Sequence, residues 1–142
     1  MRIADVLARK GDTVVTIAPD RTVRELLALL AEHGIGAVVV SGDGATVAGI
    51  VSERDVVRRL HAAGDSVLDG AVSAIMTTEV HTCTPDDTVE GLMETMTARR
   101  FRHVPVVVDG ALVGIMSIGD VVKRRLEYLQ AERDQLTAYI SS

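Results

Sequence analysis

The sequence predicts an α/β (α+β) fold made of two pseudo-symmetric β-α-β-β-α repeats that pack through their sheets, followed by a C-terminal helix. Two observations predict it. A shift of 66 residues places Thr16 to Leu26 on Thr82 to Leu92, with Thr, Pro, Asp, Thr, Val and Leu kept at the same places. After a one-residue shift near Thr46, residues 49–57 (GIVSERDVV) match residues 114–122 (GIMSIGDVV). Such a short unit usually cannot close its own core, so the copies are expected to pack together.

The helices of each copy are predicted by apolar spacing. A short leading helix is indicated by Ile3, Val6 and Leu7, and the same spacing recurs at Val72, Ile75 and Met76. Apolar residues at i, i+3, i+4 and i+7 then predict helices over 22–33 and 88–100, each buried along one stripe. Thr22 with Glu25 forms a capping-box signature at the start of the first of them.

The spacing then becomes that of strands. The four predicted strands are 35–40, 47–51, 102–108 and 112–116. Turn residues stand between the members of each pair, which predicts two hairpins. Residues 60–70, which contain two glycines, are expected to link the copies. The predicted organisation is a first repeat with its leading helix over 1–66, a second repeat over 67–127 and a helical extension over 124–142.

Composition argues against several classes of function. The chain has 142 residues, is 47% hydrophobic but only 2% aromatic, and carries a net charge of -5. Single-stranded nucleic acids are bound by aromatic stacking in a basic groove, so we expect no nucleic-acid partner. No segment resembles a signal peptide or approaches the roughly 20 apolar residues of a membrane span. We therefore expect a cytoplasmic protein with no membrane partner.

Catalysis is not expected either. The four histidines fall in no metal-ligand spacing, which predicts no metal site. Cys83 is the only cysteine, and it aligns with Ile17, which favours an apolar core position over a reactive thiol. We find no constellation of nucleophile and base, so we expect no catalytic residues and no required cofactor.

The strongest candidate site is the Ser-x-x-Asp element at the end of each repeat. Ser52 and Ser117 stand where a helix should begin, with Asp55 and Asp120 three residues on. The backbone N–H groups of a helix start favour an anion such as phosphate, whereas a carboxylate accepts hydrogen bonds from a vicinal diol. The pattern therefore suits a ribose phosphate. A plain capping motif gives the same pattern, but its occurrence in both copies favours binding.

Several segments carry a family resemblance. Residues 16–20 (TIAPD), 82–86 (TCTPD) and 102–107 (RHVPVV), together with both GI(V/M)SxxD endings, resemble a tandem pair of cystathionine β-synthase (CBS) domains, or Bateman module, from about Ile3 to about Leu126. The resemblance implies a stand-alone regulatory protein that is not an enzyme. Its clefts between the repeats would bind adenosine nucleotides as regulatory ligands: AMP, ADP, ATP, and sometimes NAD or S-adenosylmethionine. It also implies a homodimer that signals to an unidentified protein target.

The same resemblance implies roles for individual residues. Asp55 and Asp120 would hold ribose hydroxyls, and Ser52 and Ser117 would approach phosphate or ribose oxygens. Backbone around residues 16–19 and 82–85, with the strands at 37–39 and 103–105, would frame the base. The implied ligand-binding residues are Thr16, Ile17, Pro19, Ala37, Val38, Ser52, Arg54, Asp55, Thr82, Cys83, Pro85, Arg102, His103, Val104, Pro105, Ser117 and Asp120.

The two copies differ in charge, which predicts unequal binding. Arg102 and His103 of the second copy correspond to Gly36 and Ala37, and Gly119 takes the place of Arg54. Arg102 is either a phosphate anchor or an exposed, solvated side chain, and His103 is either a ligand contact or a hydrogen-bonded strand residue. The alternative function is a structural homodimer whose clefts are empty or degenerate.

The C-terminal tail carries a further apolar stripe. Its members are Val122, Leu126, Leu129, Arg133, Leu136 and Ile140, spaced 4, 3, 4, 3 and 4 residues apart. This is the a/d spacing of a helix that pairs with another helix. The stripe predicts a homodimer contact, and the alternative is that the helix folds back onto Ile3, Val6 and Leu7.

Overall fold

The computed structural model describes residues 1–11 and 13–141, and its elements follow the predicted repeat. In chain order they are α1 (Ile3–Lys10), β1 (Thr16–Ile17), α2 (Val23–His33), β2 (Ala37–Val40), β3 (Gly49–Ser52), α3 (Glu53–Ala63), α4 (Val89–Arg99), β4 (His103–Val108), β5 (Ala111–Ser117) and α5 (Ile118–Ser141). Two 3₁₀ segments, Asp65–Asp69 and Val72–Ala74, lie between α3 and α4. The mixed α+β repeat is therefore confirmed.

Each copy contains an antiparallel hairpin whose second strand runs directly into a helix. In the first copy β2 pairs with β3 and Ala37 lies opposite Ser52; β1 joins the other side of β2 in parallel. In the second copy β4 pairs with β5, and His103 lies opposite Ser117. The first strand of this copy is reduced to a single bridge between Cys83 and Val106. This register places the start of α3 and of α5 beside the first residue of the neighbouring strand.

Two segments differ from the sequence predictions. The expected linker over 60–70 is mostly helical, because α3 continues to Ala63 and the 3₁₀ segment Asp65–Asp69 follows. The leading helix expected at Val72 to Met76 is only the 3₁₀ segment Val72–Ala74. The two glycines of the expected linker end helical segments instead of excluding helix, since Gly64 and Gly70 are their C-caps. At Val72 to Met76, apolar spacing indicates a buried side but does not determine how many turns of helix form.

The two copies exchange their leading segments. Ile3 and Val6 of α1 are buried in the core of the second copy, with residues of α4, β4 and β5. Val72 and Ile75, which precede the second copy, are buried in the core of the first. Leu7 lies so close to Gly114 that a β-carbon there would stand 2.6 Å from its side chain. The copies are therefore interlocked, and neither core is complete without a segment from the other half of the chain.

Helix α5 continues well beyond the second core. Val121 is buried, but the apolar stripe from Leu126 to Ile140 is exposed, so the tail does not fold back over the apolar residues of α1. An ion pair of 3.6 Å between Arg9 and Glu127 joins the end of α1 to the early part of α5. Within the described residues, no helix combines the length and the apolar character that crossing a membrane requires.

Candidate functional site

A cleft of about 860 Å³ lies between the two copies, where the start of α3 faces the loop that joins α4 to β4. Small-molecule sites in proteins span roughly 300–1,000 Å³, so this volume suits a ligand of nucleotide size. Six of the residues predicted from the sequence line it together: Ala37, Ser52, Arg54, Asp55, Arg102 and His103. Both copies contribute to it: Asp55 and Arg54 come from the first and Arg102 from the second, as expected for a site at the repeat interface.

The start of α3 positions Ser52 and Asp55. Ser52 is the N-cap, and its Oγ accepts a hydrogen bond from the Asp55 backbone N–H at 3.3 Å. In return Asp55 Oδ2 accepts from the Ser52 backbone N–H at 2.8 Å and from its hydroxyl at 3.0 Å. The capping motif that the sequence left open is therefore present. Both bonds that the carboxylate accepts use Oδ2, which leaves Oδ1 as an available acceptor on a residue that lines the cleft.

Four arginines line the same cleft, two from each copy. Arg54 and Arg58 lie on α3, and Arg100 and Arg102 lie between α4 and β4. No ion pair is found for any of the four within residues 1–11 and 13–141; outside the cleft, exposed Arg21 and Arg24 are paired, whereas exposed Arg59 and Arg99 are not. The cleft also holds three carboxylates, so cationic side chains prevail in a chain whose net charge is -5.

Arg100 adopts an unfavourable backbone conformation. It caps the C-terminus of α4 with φ 60° and ψ 33°, in the left-handed region. The corresponding residue of the first copy is Gly34, with φ 62° and ψ 37°. Glycine is the usual residue there, because a β-carbon strains this conformation by about 1 kcal/mol. The second copy thus places an arginine at a glycine position, and that arginine reaches the cleft.

The cleft is also lined by rings and apolar side chains that sequence reasoning did not identify. His81 and Phe101 are stacked, with ring centroids 5.6 Å apart and an interplanar angle of 21°. Ile50, Val57 and Val80 add apolar surface, and Val57 is 64% exposed although it lies on α3. An apolar residue this exposed at the mouth of a cleft is a signal that only the folded chain provides.

His103 lies between the two Ser-x-x-Asp elements. Burial lowers the pKa of its imidazole, and the positive charges of Lys10 and Arg102 lower it further, against weaker opposing effects of Asp120 and Glu53. The side chain is therefore neutral at pH 7 without ligand. In this state one ring nitrogen donates a hydrogen bond and the other accepts one.

The remaining predicted residues lie outside this cleft. Ile17, Val38, Cys83, Val104 and Pro105 are buried in the two cores. Thr16 pairs with Val39 in the sheet, and Thr82 is exposed. The carbonyl oxygens of Pro19 and Pro85 accept hydrogen bonds from Ser73 and Ala4, so both prolines hold the exchanged segments. Their roles toward a ligand stay predictions.

Ser117 and Asp120 form the equivalent cap at the start of α5. Asp120 Oδ2 accepts from the Ser117 backbone N–H at 2.9 Å, and Ser117 Oγ accepts from the Asp120 N–H at 3.1 Å. Here, however, Lys10 also donates to Asp120 Oδ2, at 2.6 Å. The two carboxylates therefore have different surroundings despite identical caps.

Cys83 borders a separate cavity of about 260 Å³ beside the start of α4. Burial raises the pKa of its thiol to about 12, with a further contribution from the negative charge of Asp87. A thiol with this pKa holds almost no nucleophilic thiolate at pH 7. Across the residues that the structure describes, no group of three or more His, Cys, Asp and Glu side chains is arranged to hold a metal ion.

Comparison with known proteins agrees with this architecture. The model of the CBS domain matches residues 3–62 and again residues 72–127. The chain belongs to the CBS domain family. It is 36% identical to a mitochondrial CBS domain-containing protein of Arabidopsis thaliana, over 97% of this chain and 71% of that protein.

Two solved CBS structures are informative. The crystal structure of a CBS-domain containing protein from Agrobacterium tumefaciens has a TM-score of 0.84 and 48% identity, and covers 88% of this chain and 99% of its own. A CBS domain protein from Pyrobaculum aerophilum, complexed with AMP, has a TM-score of 0.75 and 32% identity, and covers 84% and 89%. CBS pairs are regulatory modules, and this relative binds an adenine nucleotide.

Proposed function

We propose that this CBS pair is a regulatory module that binds an adenine nucleotide in the cleft between its copies and signals its occupancy to a protein partner. One observation carries the proposal. The carboxylate at the start of α3 shares a cleft of about 860 Å³ with four arginines that have no ion-pair partner in the described chain. A ligand that satisfies both features has a diol and a negative charge, as a nucleotide does.

The ribose is assigned to Asp55. Its Oδ2 is used by the cap, and Oδ1 accepts a hydrogen bond from a ribose hydroxyl. Hydrogen bonds to a charged acceptor contribute about 1.5–3 kcal/mol, more than those between neutral groups. Ser52 lies one residue before the helix and borders the same space.

The phosphate is assigned to the arginines, chiefly Arg54, Arg100 and Arg102. Guanidinium groups bind phosphate oxygens in pairs, and their charge is retained at all physiological pH values. This favours AMP, ADP or ATP over S-adenosylmethionine, because the sulfonium is cationic and brings no phosphate. The AMP complex of the Pyrobaculum relative supports the same choice.

The adenine ring is assigned to the apolar wall formed by Ile50, Val57, Val80 and the stacked ring of Phe101. These side chains offer a flat apolar face beside the polar ribose and phosphate region. A site with an apolar wall and a few converging polar groups is the usual form of a small-molecule pocket.

The remaining parts of the proposal concern assembly and location. We propose a homodimer through the exposed stripe of α5, and a protein target that senses the bound nucleotide. A cytoplasmic location fits a nucleotide sensor. No catalytic step, metal, nucleic-acid partner or membrane partner is part of the proposal. A dimer with an empty cleft is the alternative, and it is favoured only by that stripe.

The first test compares AMP with adenosine. AMP is expected to bind about tenfold more tightly, because two exposed ion pairs contribute up to about 1 kcal/mol each. Added salt is expected to weaken the binding of AMP but not that of adenosine, since exposed charges are screened over about 8 Å at physiological ionic strength. Isothermal titration calorimetry measures both. Equal affinities would contradict the phosphate assignment, and heat from neither ligand would favour the empty-cleft alternative.

The second test separates stability from binding at Arg100. Arg100→Gly is expected to raise the free energy of unfolding by about 1 kcal/mol, because the left-handed conformation is relieved. The same substitution is expected to lower the affinity for AMP several-fold and to leave the affinity for adenosine unchanged. Arg99→Ala is the control, since it removes one charge from the last turn of α4 without touching the cleft. A variant that is stabilised but binds AMP normally would remove Arg100 from the site.

A further inference from the structure

The second copy's carboxylate is already occupied by the chain itself. The Lys10 ammonium donates to Asp120 Oδ2 at 2.6 Å and to the carbonyl oxygen of Ile115 at 2.7 Å. It therefore bridges the end of β5 and the start of α5, and it pairs with the carboxylate that corresponds to Asp55. We infer that Lys10 closes the second copy to nucleotides, so that the chain holds one nucleotide, at Asp55. This inference rests on the proposed function and specifies its stoichiometry.

The first copy satisfies the same carbonyl differently. Ile50 corresponds to Ile115, and its carbonyl oxygen accepts the backbone N–H of Thr77 at 2.9 Å, while its N–H donates to the Thr77 carbonyl. This extended segment lines the open cleft. In the second copy an ammonium replaces that amide, because α1 is helical through Lys10 and its side chain reaches back to β5. The two sites thus differ in the donor to the strand carbonyl, which is the backbone N–H of Thr77 for Ile50 and the Lys10 ammonium for Ile115.

The lysine contact is partly shielded from water. The side chains of Lys10 and Asp120 are 35% and 23% exposed. Burial acts to raise the pKa of Asp120, but the Lys10 ammonium and the Ser117 backbone N–H outweigh it and hold the pKa below its usual value. The carboxylate is therefore ionised and paired at neutral pH. The oxygen that corresponds to the proposed ribose acceptor of the first copy is Asp120 Oδ1, and the ammonium on Oδ2 neutralises the charge of this carboxylate, which makes Oδ1 a weaker acceptor than Asp55 Oδ1.

The site at Asp120 also lacks counterparts of the three arginines that are assigned to phosphate at Asp55, although Lys123 occupies the position of Arg58. In the repeat alignment Gly34, Gly36 and Gly119 occupy the positions of Arg100, Arg102 and Arg54. Displacement of Lys10 by a nucleotide therefore gains no compensating contact with arginine there. Closure by Lys10 and loss of three cationic side chains act in the same direction.

The wild-type chain provides the first part of the test, with AMP as the probe. Calorimetry is expected to give one AMP per chain. Asp55→Ala is expected to lower the affinity for AMP about tenfold to a hundredfold, because a charge-assisted hydrogen bond is lost. Asp120→Ala removes the same cap from the other copy, and it is expected to change AMP affinity less than twofold. Two AMP per chain, or equal losses in both variants, would overturn the inference.

The second part of the test removes the Lys10 ammonium from Asp120. Lys10→Met installs the residue that the first copy carries at this position, Met76. This substitution is made in an Asp55→Ala background. It is tested with adenosine, because the site at Asp120 lacks counterparts of the three arginines assigned to phosphate. The double variant is expected to bind adenosine at least tenfold more tightly than Asp55→Ala alone. Arg9→Met is the control, since it removes the neighbouring charge, whose partner is Glu127.

The outcomes separate the inference from the proposed function. If the wild type binds one AMP but Lys10→Met, shown to be folded by circular dichroism, adds no adenosine site, Lys10 does not close the second copy and the inference fails alone. If the wild type binds no AMP and no adenosine, the proposed function fails and the inference fails with it. Recovery of binding with Arg9→Met as well would also count against Lys10, because a general loss of positive charge would then explain it.

Discussion

Replacing Ile3 by alanine is expected to lower the free energy of unfolding by about 2–5 kcal/mol. Ile3 has no exposed surface and lies in the second core, with residues of α4, β4 and β5. Removing three of its carbon atoms leaves a cavity that tightly packed neighbours cannot fill. A loss of this size is a large part of the 5–15 kcal/mol by which a typical domain is stable. Urea denaturation measures it.

The control and a second readout make this prediction specific. Val57→Ala, at a side chain that is 64% exposed, is expected to change stability by less than about 0.5 kcal/mol. Hydrogen exchange in Ile3→Ala is expected to accelerate at Val104 and Val106, which share its core, before Val38 and Val40 of the first copy. Acceleration confined to the first copy would show that α1 packs there instead.

The helices were largely predictable because their signals are local. The apolar stripe over 22–33 corresponds to α2, and the threonine before it is the N-cap, whose Oγ accepts from the Glu25 backbone N–H at 3.1 Å. The caps at Ser52 and Ser117 follow the same logic. A capping side chain and the backbone N–H that it binds lie three residues apart, so the sequence alone indicates where each helix begins.

The exchange of leading segments was not predictable from spacing. The pattern Ile3, Val6 and Leu7 shows that α1 buries one side, but not which copy receives it. Two similar cores accept similar apolar residues. Which core receives α1 depends on contacts between residues more than 80 positions apart, such as the hydrogen bond from the Ile3 N–H to the Asp87 carbonyl oxygen. The contact of Lys10 with Asp120 follows from that choice, since it joins groups 110 residues apart.

The cleft was predictable in part. Asp55 was expected from the repeat and Arg102 from the difference in charge between the copies, and both line it. Arg58 and Arg100 were not, because in sequence they resemble solvated arginines of a helix interior and a helix end. Their participation depends on the angle between α3 and the α4–β4 loop, which packing of the two copies sets.

Removing the exposed part of α5 is expected to convert a homodimer into a monomer. The stripe that includes Leu129 and Leu136 is 43% and 63% exposed at these two positions, on a helix of 24 residues. An isolated helix is marginally stable in water, and burying each leucine contributes about 1.5–3 kcal/mol. A second copy offers the same stripe with the same spacing. By light scattering, the full chain is expected to have twice the 15.1 kDa mass of one chain, whereas a chain ending at Lys123 is expected to have the mass of a single truncated chain.

Point substitutions keep the helix length and locate the interface. Leu129→Glu with Leu136→Glu places two charges one heptad apart on the stripe, and it is expected to give a monomer, since a buried unpaired carboxylate is costly. Ala131→Glu with Ala138→Glu places the same charges one heptad apart on the opposite, exposed side, and it is expected to remain a dimer. A monomeric full chain would reject the dimer. A leucine double variant that stays dimeric would place the interface elsewhere, because the two Arg133 side chains on the seam can pair with at most two of the four introduced carboxylates.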